Sequence, residues 1–242
     1  MRLKAALNGN RTVTEHPAVP VTPEQLAHAA RDAVGAGAFA LHLHPRDAEG
    51  KETLAAGPVA EALRAVREAC PGIPVGISSG YWIQPDTEGQ LRSARAWTEK
   101  PDFVSVNWHE PHAEALATEF LRLEIGVEAG IWSLDAARKI LTWPERAHLT
   151  RVLVELVDEA TTLRDAYLIV DALHPLSTPI LLHGEGPNCW ATLQEASRLG
   201  LLGRIGLEDT LTLSDGTLAR DNAELIKEAL RLAQDSGVGI PR

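Results

Sequence analysis

The sequence is poor in cysteine and in positive charge, and it contains no long apolar run. Its only two cysteines, Cys70 and Cys189, stand far apart in the chain. That excludes a disulfide framework and makes a reducing cytoplasm the default compartment. Lys and Arg together number 23 against 33 Asp and Glu, a formal net charge of -10. Non-specific nucleic-acid binding requires the opposite sign, so no DNA or RNA partner is expected. No apolar stretch reaches the ~20 residues of a membrane span. The opening MRLKAALNGNR has no apolar core of the kind a signal peptide carries, so no membrane association or export is expected. No repeat, low-complexity tract or long linker divides the chain.

What is present is one alternation, repeated. Short apolar runs end in Gly, Ser, His or Asn, and each is followed by an Ala/Leu/Arg/Glu-rich stretch with helical spacing. The runs cover residues 3–9, 39–45, 74–80, 103–109, 125–130, 151–158, 179–186 and 203–211. The first helix opens at Thr22-Pro23-Glu24, with Thr22 as N-cap, Pro23 at the first helical position and Gln25 at the third, and ends at Gly35 and Gly37. Further helices are expected near 57–70, 87–99, 112–123, from the Ser133 cap to about 141, up to about 173, near 189–199 and over 219–236. Eight such units in 242 residues predict an α/β fold, a closed (β/α)8 TIM barrel forming one catalytic domain over residues 1–242. An open doubly wound sheet is the alternative, but no G-x-G-x-x-G turn follows the first run.

In such a barrel, function belongs at the C-terminal ends of the strands. Those ends are polar here: Asn8, His42 and His44, Ser78 and Ser79, Asn107 and His109, Glu128, Glu155 and Asp158, His183 and Glu185, Glu208 and Asp209. Strand ends meet water in any protein, which explains Ser and Asp. It does not explain paired histidines or a single Glu inside an apolar run. Ser79, Asn107 and Glu128 are accordingly candidates to face a substrate.

His42-Leu43-His44 is the sharpest signal. Residues two apart on a strand share a side, roughly 6.5 to 7 Å apart, so both imidazoles can hold one metal ion. Paired histidines can also stack or hydrogen-bond in a polar core. Strand 8 lies next to strand 1, so Glu208 can converge on the pair. Two His and one carboxylate leave positions open, as in a catalytic site for zinc, or for iron, manganese or cobalt. Glu208 could instead pair with Arg204, or Asp209 could serve that buried guanidinium. A local Arg46–Asp47 pair is expected to hold the loop after strand 2. Trp82, Trp108 and Trp132, following strands 3, 4 and 5, could wall a pocket or pack beneath loops. His183 is a candidate proton donor or ligand, or a hydrogen-bonded core histidine.

LNGNRT, HPAVPVTPEQL, GAGAFALHLHPRDAEG, ISSG, KPDFVSVN and RIGLED, in that order, resemble the β-keto acid cleavage enzymes, whose best-known activity is 3-keto-5-aminohexanoate cleavage. The resemblance runs from about residue 3 to 236. It implies an oligomeric TIM barrel, a dimer or tetramer, with zinc on His42, His44 and Glu208. It also implies a reaction in which a β-keto acid and acetyl-CoA give acetoacetate and a new acyl-CoA. Asp209 would be the base, supported by Arg204 and Ser78, and Ser105 would stand where the best-known member has Thr. One departure stands out: the Glu that recognises the amine in the aminohexanoate enzyme is Arg11 here. An Arg there suits a carboxylate tail and argues against the amine-bearing substrate. A metal-dependent hydrolase of amidohydrolase type also uses H-x-H in a barrel, but normally on strand 1 with histidines on strands 5 and 6. A non-catalytic metal-binding barrel is a third reading.

Overall fold

The computed structural model describes residues 1–158 and 160–235. Among these residues eight strands alternate with eight helices. The strands are β1 Leu3–Ala6, β2 Ala38–Leu43, β3 Val75–Ser78, β4 Phe103–Asn107, β5 Gly126–Ile131, β6 Arg151–Leu156, β7 Ile180–Gly184 and β8 Leu202–Ile205. The helices are α1 Pro23–Gly35, α2 Ala56–Ala69, α3 Thr87–Ala96, α4 Ala113–Arg122, α5 Leu134–Thr142, α6 Leu163–Ala172, α7 Cys189–Arg198 and α8 Asn222–Asp235. The strands pair in chain order, all parallel, and β8 closes on β1. This is the expected TIM barrel.

Strand alternation sorts the side chains. Val152, Val154 and Leu156 of β6 pack against the helices, as do Val104 and Val106 of β4. Their neighbours Arg151, Leu153 and Glu155, and Phe103, Ser105 and Asn107, take the opposite face, toward the lumen. The α1 cap is as expected: the Thr22 hydroxyl accepts from the Gln25 amide and the Gln25 side chain from the Thr22 amide, with Pro23 in the first turn. Ser133 caps α5 through the Ala136 amide. Every strand but β5 stops short of its expected end. α8 begins at Asn222 rather than 219, and residue 236, its expected end, lies outside the described residues.

One shortened strand matters for the site. The run 203–211 leaves the sheet after Ile205. The amides of Asp209 and Thr210 then both donate to the Gly206 carbonyl, forming a tight turn. A Cβ on Gly206 would collide with the Ala6 carbonyl, so only glycine lets the chain bend here against β1. Glu208 and Asp209 therefore sit on a turn above β8. They do not continue the strand face of Arg204.

Candidate active site

Register brings the polar tips together. Ala6 pairs with His42, Lys4 with Arg204, Ser78 with Ser105, and Glu155 with His183. The resulting mouth cavity, about 200 Å³, is lined by His42, His44 and Glu208 on one side. Asn10, Ser78, Trp82, Ser105, Asn107, Trp132, Glu155, Glu185 and Arg204 complete it.

His42 Nε2 and His44 Nε2 lie 3.1 Å apart, and Glu208 Oε1 lies 3.4 Å from His44 Nε2 and 3.8 Å from His42 Nε2. Ligands ~2.0 to 2.1 Å from a tetrahedral metal ion lie about 3.4 Å from one another, so this triangle matches a metal site. The second Glu208 oxygen is buried without a partner. Glu52 accepts from His44 Nδ1 at 2.5 Å, leaving Nε2 for the ion. The indole of Trp82 donates to the same Glu52 carboxylate and stacks on the His44 ring. Asn8 fixes the backbone beneath: its side-chain oxygen accepts from the His44 amide and its nitrogen donates to the His44 carbonyl. The donor set, its spacing and its support fit a divalent metal ion.

Electrostatics follow from burial against pairing. Burial opposes a charge on His44, but the carboxylates of Glu208 and Glu52 overcome it and raise its pKa to about 9. Burial holds His42 well below its usual value. Burial also works against charge on Glu208, yet Arg204 and the two histidines hold it well below the carboxylate range. Arg204 donates to Glu208 Oε1 at 2.6 Å and to Asp209 at 2.7 and 3.0 Å. Both partners weighed for the guanidinium are thus engaged. Asp209 is fully buried behind Arg204, and desolvation raises its pKa. Glu185 lines the cavity, and burial together with nearby Asp209 pushes it to about 8.

The expected substrate residues divide. Ser78, Ser105 and Asn107 line the cavity. Ser79 does not: its hydroxyl donates to the Ser105 carbonyl and its own carbonyl accepts from Gln90. Arg11 does not either: it donates to the Glu208 carbonyl at 3.3 Å and to Glu15 at 3.1 Å, tying the loop after β1 to the turn after β8. Glu128 is fully buried between Lys4 and Arg151, each at 2.5 Å, and is not part of the lining. β5 runs to Ile131, one residue beyond the expected end, so Glu128 is mid-strand and Gly130 is the lumen residue nearer the mouth.

One smaller expectation changes and two open ones narrow. Arg46 donates to the carbonyls of Gly9 and Arg11, while Asp47 accepts from the amides of Glu49 and Lys51, so the loop is held without an Arg46–Asp47 pair. Trp82 and Trp132 wall the cavity, but Trp108 is buried against Trp143. His183 is fully buried, with Nε2 3.1 Å from Glu155 and Nδ1 3.8 Å from Asp209. The orienting Glu52 and the lining Asn10 were not among the expected site residues, while Glu155 and Glu185, expected only as polar strand ends without an assigned role, both line the cavity. Glu155 carried a readable signal, its parity with Arg151 on one strand. Glu52 lies in an irregular loop and carried none.

Fold and site together define a (β/α)8 barrel with a two-histidine, one-glutamate constellation at its catalytic face. The beta-keto acid cleavage enzyme family model matches residues 1–241, and the chain belongs to that family. It is similar to a 3-keto-5-aminohexanoate cleavage enzyme of Fusobacterium nucleatum, 26% identical over 97% of this chain and 92% of the relative. It is also similar to a 3-oxoadipate:acetyl-CoA acetyltransferase of Cupriavidus necator, 24% identical over 92% of this chain and 84% of the relative. Among solved structures, a ternary complex of ObcA with a C4-CoA adduct and oxalate shares the fold, with TM-score 0.69 and 17% identity. The match covers 91% of this chain and 65% of that longer one.

Proposed function

We propose that the protein converts a β-keto acid and acetyl-CoA into acetoacetate and a new acyl-CoA, and that His42, His44 and Glu208 hold zinc. The observation that carries this reading is the convergence of the three ligand atoms at the mouth, 3.1 to 3.8 Å apart, beside the Arg204–Asp209 pair. Family membership and the named acetyltransferase relative support the same chemistry. Zinc bound there supplies Lewis-acid polarisation of the keto oxygen, and iron, manganese or cobalt suits the same donors.

The chain's own groups divide the remaining work. Arg204 presents a buried guanidinium to the cavity, placed to balance negative charge on a substrate drawn up to it. Asp209, held by Arg204 and raised by burial, is the assigned base for the proton between the two carbonyls. The resulting carbanion attacks the acetyl thioester, the thiolate of CoA passes to the other carbonyl, and carbon–carbon cleavage releases acetoacetate. Ser78 and Ser105 offer hydroxyls along the path. A second assignment of the base, to Glu185, is favoured by one observation: Glu185 itself lines the cavity, whereas Asp209 lies behind Arg204.

The test compares acyl-CoA formation by wild type, Asp209→Asn and Glu185→Gln at matched zinc content. Loss of two or more orders of magnitude in kcat for Asp209→Asn alone supports the first assignment. The same loss for Glu185→Gln alone transfers the role. The proposal extends to a cytoplasmic homo-oligomer, a dimer or tetramer, checked by light scattering. Both thiols, Cys70 and Cys189, are free and buried, as a reducing compartment allows.

A further inference from the structure

His183 is a buried titratable side chain that no step of the proposed reaction uses. It stands on β7 opposite Glu155 of β6 in the sheet register, and both face the lumen. β6 lies across the closed barrel from β2, whose end carries His42 and His44. His183 is fully buried, and neither ring nitrogen makes a well-aligned hydrogen bond to a described residue. Each nitrogen nevertheless has a carboxylate beside it. Nε2 lies 3.1 Å from Glu155 Oε2, and Nδ1 lies 3.8 Å from Asp209 Oδ1. A buried ring without settled hydrogen bonds costs free energy, and a working role accounts for it where packing does not.

Only one end of this row reaches the cavity. Asp209 is fully buried behind Arg204, whereas Glu155 lines the mouth. A Cβ on Gly130 would lie 2.6 Å from Glu155 Oε1, so glycine at that position leaves the carboxylate its room. Burial works against charge on Glu155, but His183, Arg204 and Lys4 hold its carboxyl below the usual range. Glu155 therefore meets the cavity as a carboxylate, with an imidazole behind it that can pass it a proton.

The proposed reaction moves a thiolate as well as a carbon-bound proton. When the carbanion bonds to the acetyl carbonyl carbon, the carbon–sulfur bond breaks and its electron pair leaves on sulfur. The carboxyl groups of Glu155, Glu185 and Glu208 line the same cavity, and like charge disfavours a bare thiolate among them. We propose that Glu155 and His183 form an acid–base pair for that sulfur, on the wall opposite the metal constellation. The pair enters the step as carboxylate and imidazolium. His183 Nε2 gives its proton to Glu155, Glu155 gives it to the leaving sulfur, and carboxylate and neutral imidazole remain. The proton returns by the same route as the sulfur bonds to the other carbonyl carbon. Glu155 touches the thiol and is the catalytic residue, and His183 acts through it as a positioning residue. The inference rests on the proposed reaction.

The test varies the leaving thiol. Zinc-loaded wild type, Glu155→Gln, His183→Gln and Glu185→Gln, matched in zinc content, receive a β-keto acid with either acetyl-CoA or the acetyl thioester of a nitrothiophenol. Nitrothiophenolate is stable without a proton and is read by its colour. Glu155→Gln is expected to lower kcat with acetyl-CoA on the order of a hundredfold, as loss of one acid–base group does, with KM for the keto acid little changed. His183→Gln is expected to lower it in the same way and by less. Both variants are expected to release nitrothiophenolate at close to the wild-type rate. Equal loss with the two donors overturns the inference, as does full acetyl-CoA activity in Glu155→Gln. A donor-dependent loss in Glu185→Gln alone gives the role to Glu185 and overturns it too. In each of these cases wild-type turnover leaves the proposed reaction standing. A wild type that transfers no acetyl group from either donor removes that reaction and the inference with it.

Discussion

The carboxylate of Glu52 meets His44 Nδ1 at 2.5 Å, from a loop eight positions along the chain. A histidine donates to one acceptor from each ring nitrogen or offers that nitrogen to a metal. Glu52 therefore decides which nitrogen is free, and Trp82 holds Glu52 in turn. Such outer partners typically change metal affinity 10- to 100-fold, by roughly the same margin as a weakened ligand. Glu52→Ala should weaken zinc binding by about that factor while the fold stays intact. Competition against a chromogenic chelator measures it, and unchanged affinity would show that the His44 ring needs no such support.

Gly9 occupies a left-handed backbone position, φ +53°, and a Cβ there would collide with the side chain of Glu208. Gly9→Ala therefore meets both a backbone strain of order 1 kcal/mol and displacement of a metal-type ligand. Zinc stoichiometry should fall well below one per chain. Retention of full stoichiometry would mean that Glu208 shifts without leaving the ion.

Beneath the cavity, Glu128 neutralises Lys4 and Arg151, both buried. Removing one member of a buried ionic cluster leaves the others uncompensated, a cost of about 3 to 5 kcal/mol. Glu128→Ala should lower Tm by roughly 10 °C in a chain of this size. If Glu128 served substrate instead, Tm would hold and KM would rise.

Glu185 gives the pH dependence. Its carboxyl, ordinarily near 4.5, is pushed up to about 8 by burial and by Asp209. Between these values the folded protein keeps a proton that the unfolded chain gives up. Stability is therefore lost as pH rises through this window. Glu185→Gln should match wild type near pH 5 and exceed it by several degrees in Tm near pH 8.5, in metal-free protein. Parallel Tm profiles across that range would contradict the placement of Glu185.

The barrel was legible because its period is physical. Apolar runs with polar tips, separated by helical spacing, leave few other packings, and the Thr22 and Ser133 caps were readable one by one. His42, His44 and Glu208 followed from strand parity and barrel closure together with the resemblance. What the sequence hid depended on distant contacts and on where strands end. Glu128 looked like a substrate residue because it is the only charged side chain in the run 125–130, and nothing local announces that Lys4 and Arg151 meet it in the core. Glu208 and Asp209 looked like strand residues because nothing in RIGLED announces that Gly206 turns the chain against the Ala6 carbonyl. Arg11 looked like a substrate ligand by position, but its fate was set by Glu15 four residues on and by a carbonyl nearly two hundred residues away.

The most direct measurement is the fate of labelled carbon. Zinc-loaded protein is given a β-keto acid and acetyl-CoA carrying 13C in both acetyl carbons, with His42→Ala as the control. Cleavage by acetyl exchange places the label in the terminal methyl and keto carbons of acetoacetate, leaves the new acyl-CoA unlabelled, and disappears with His42. Labelled free acetate without acetoacetate, or unlabelled acetoacetate, would contradict it and point to simple hydrolysis at the same metal site.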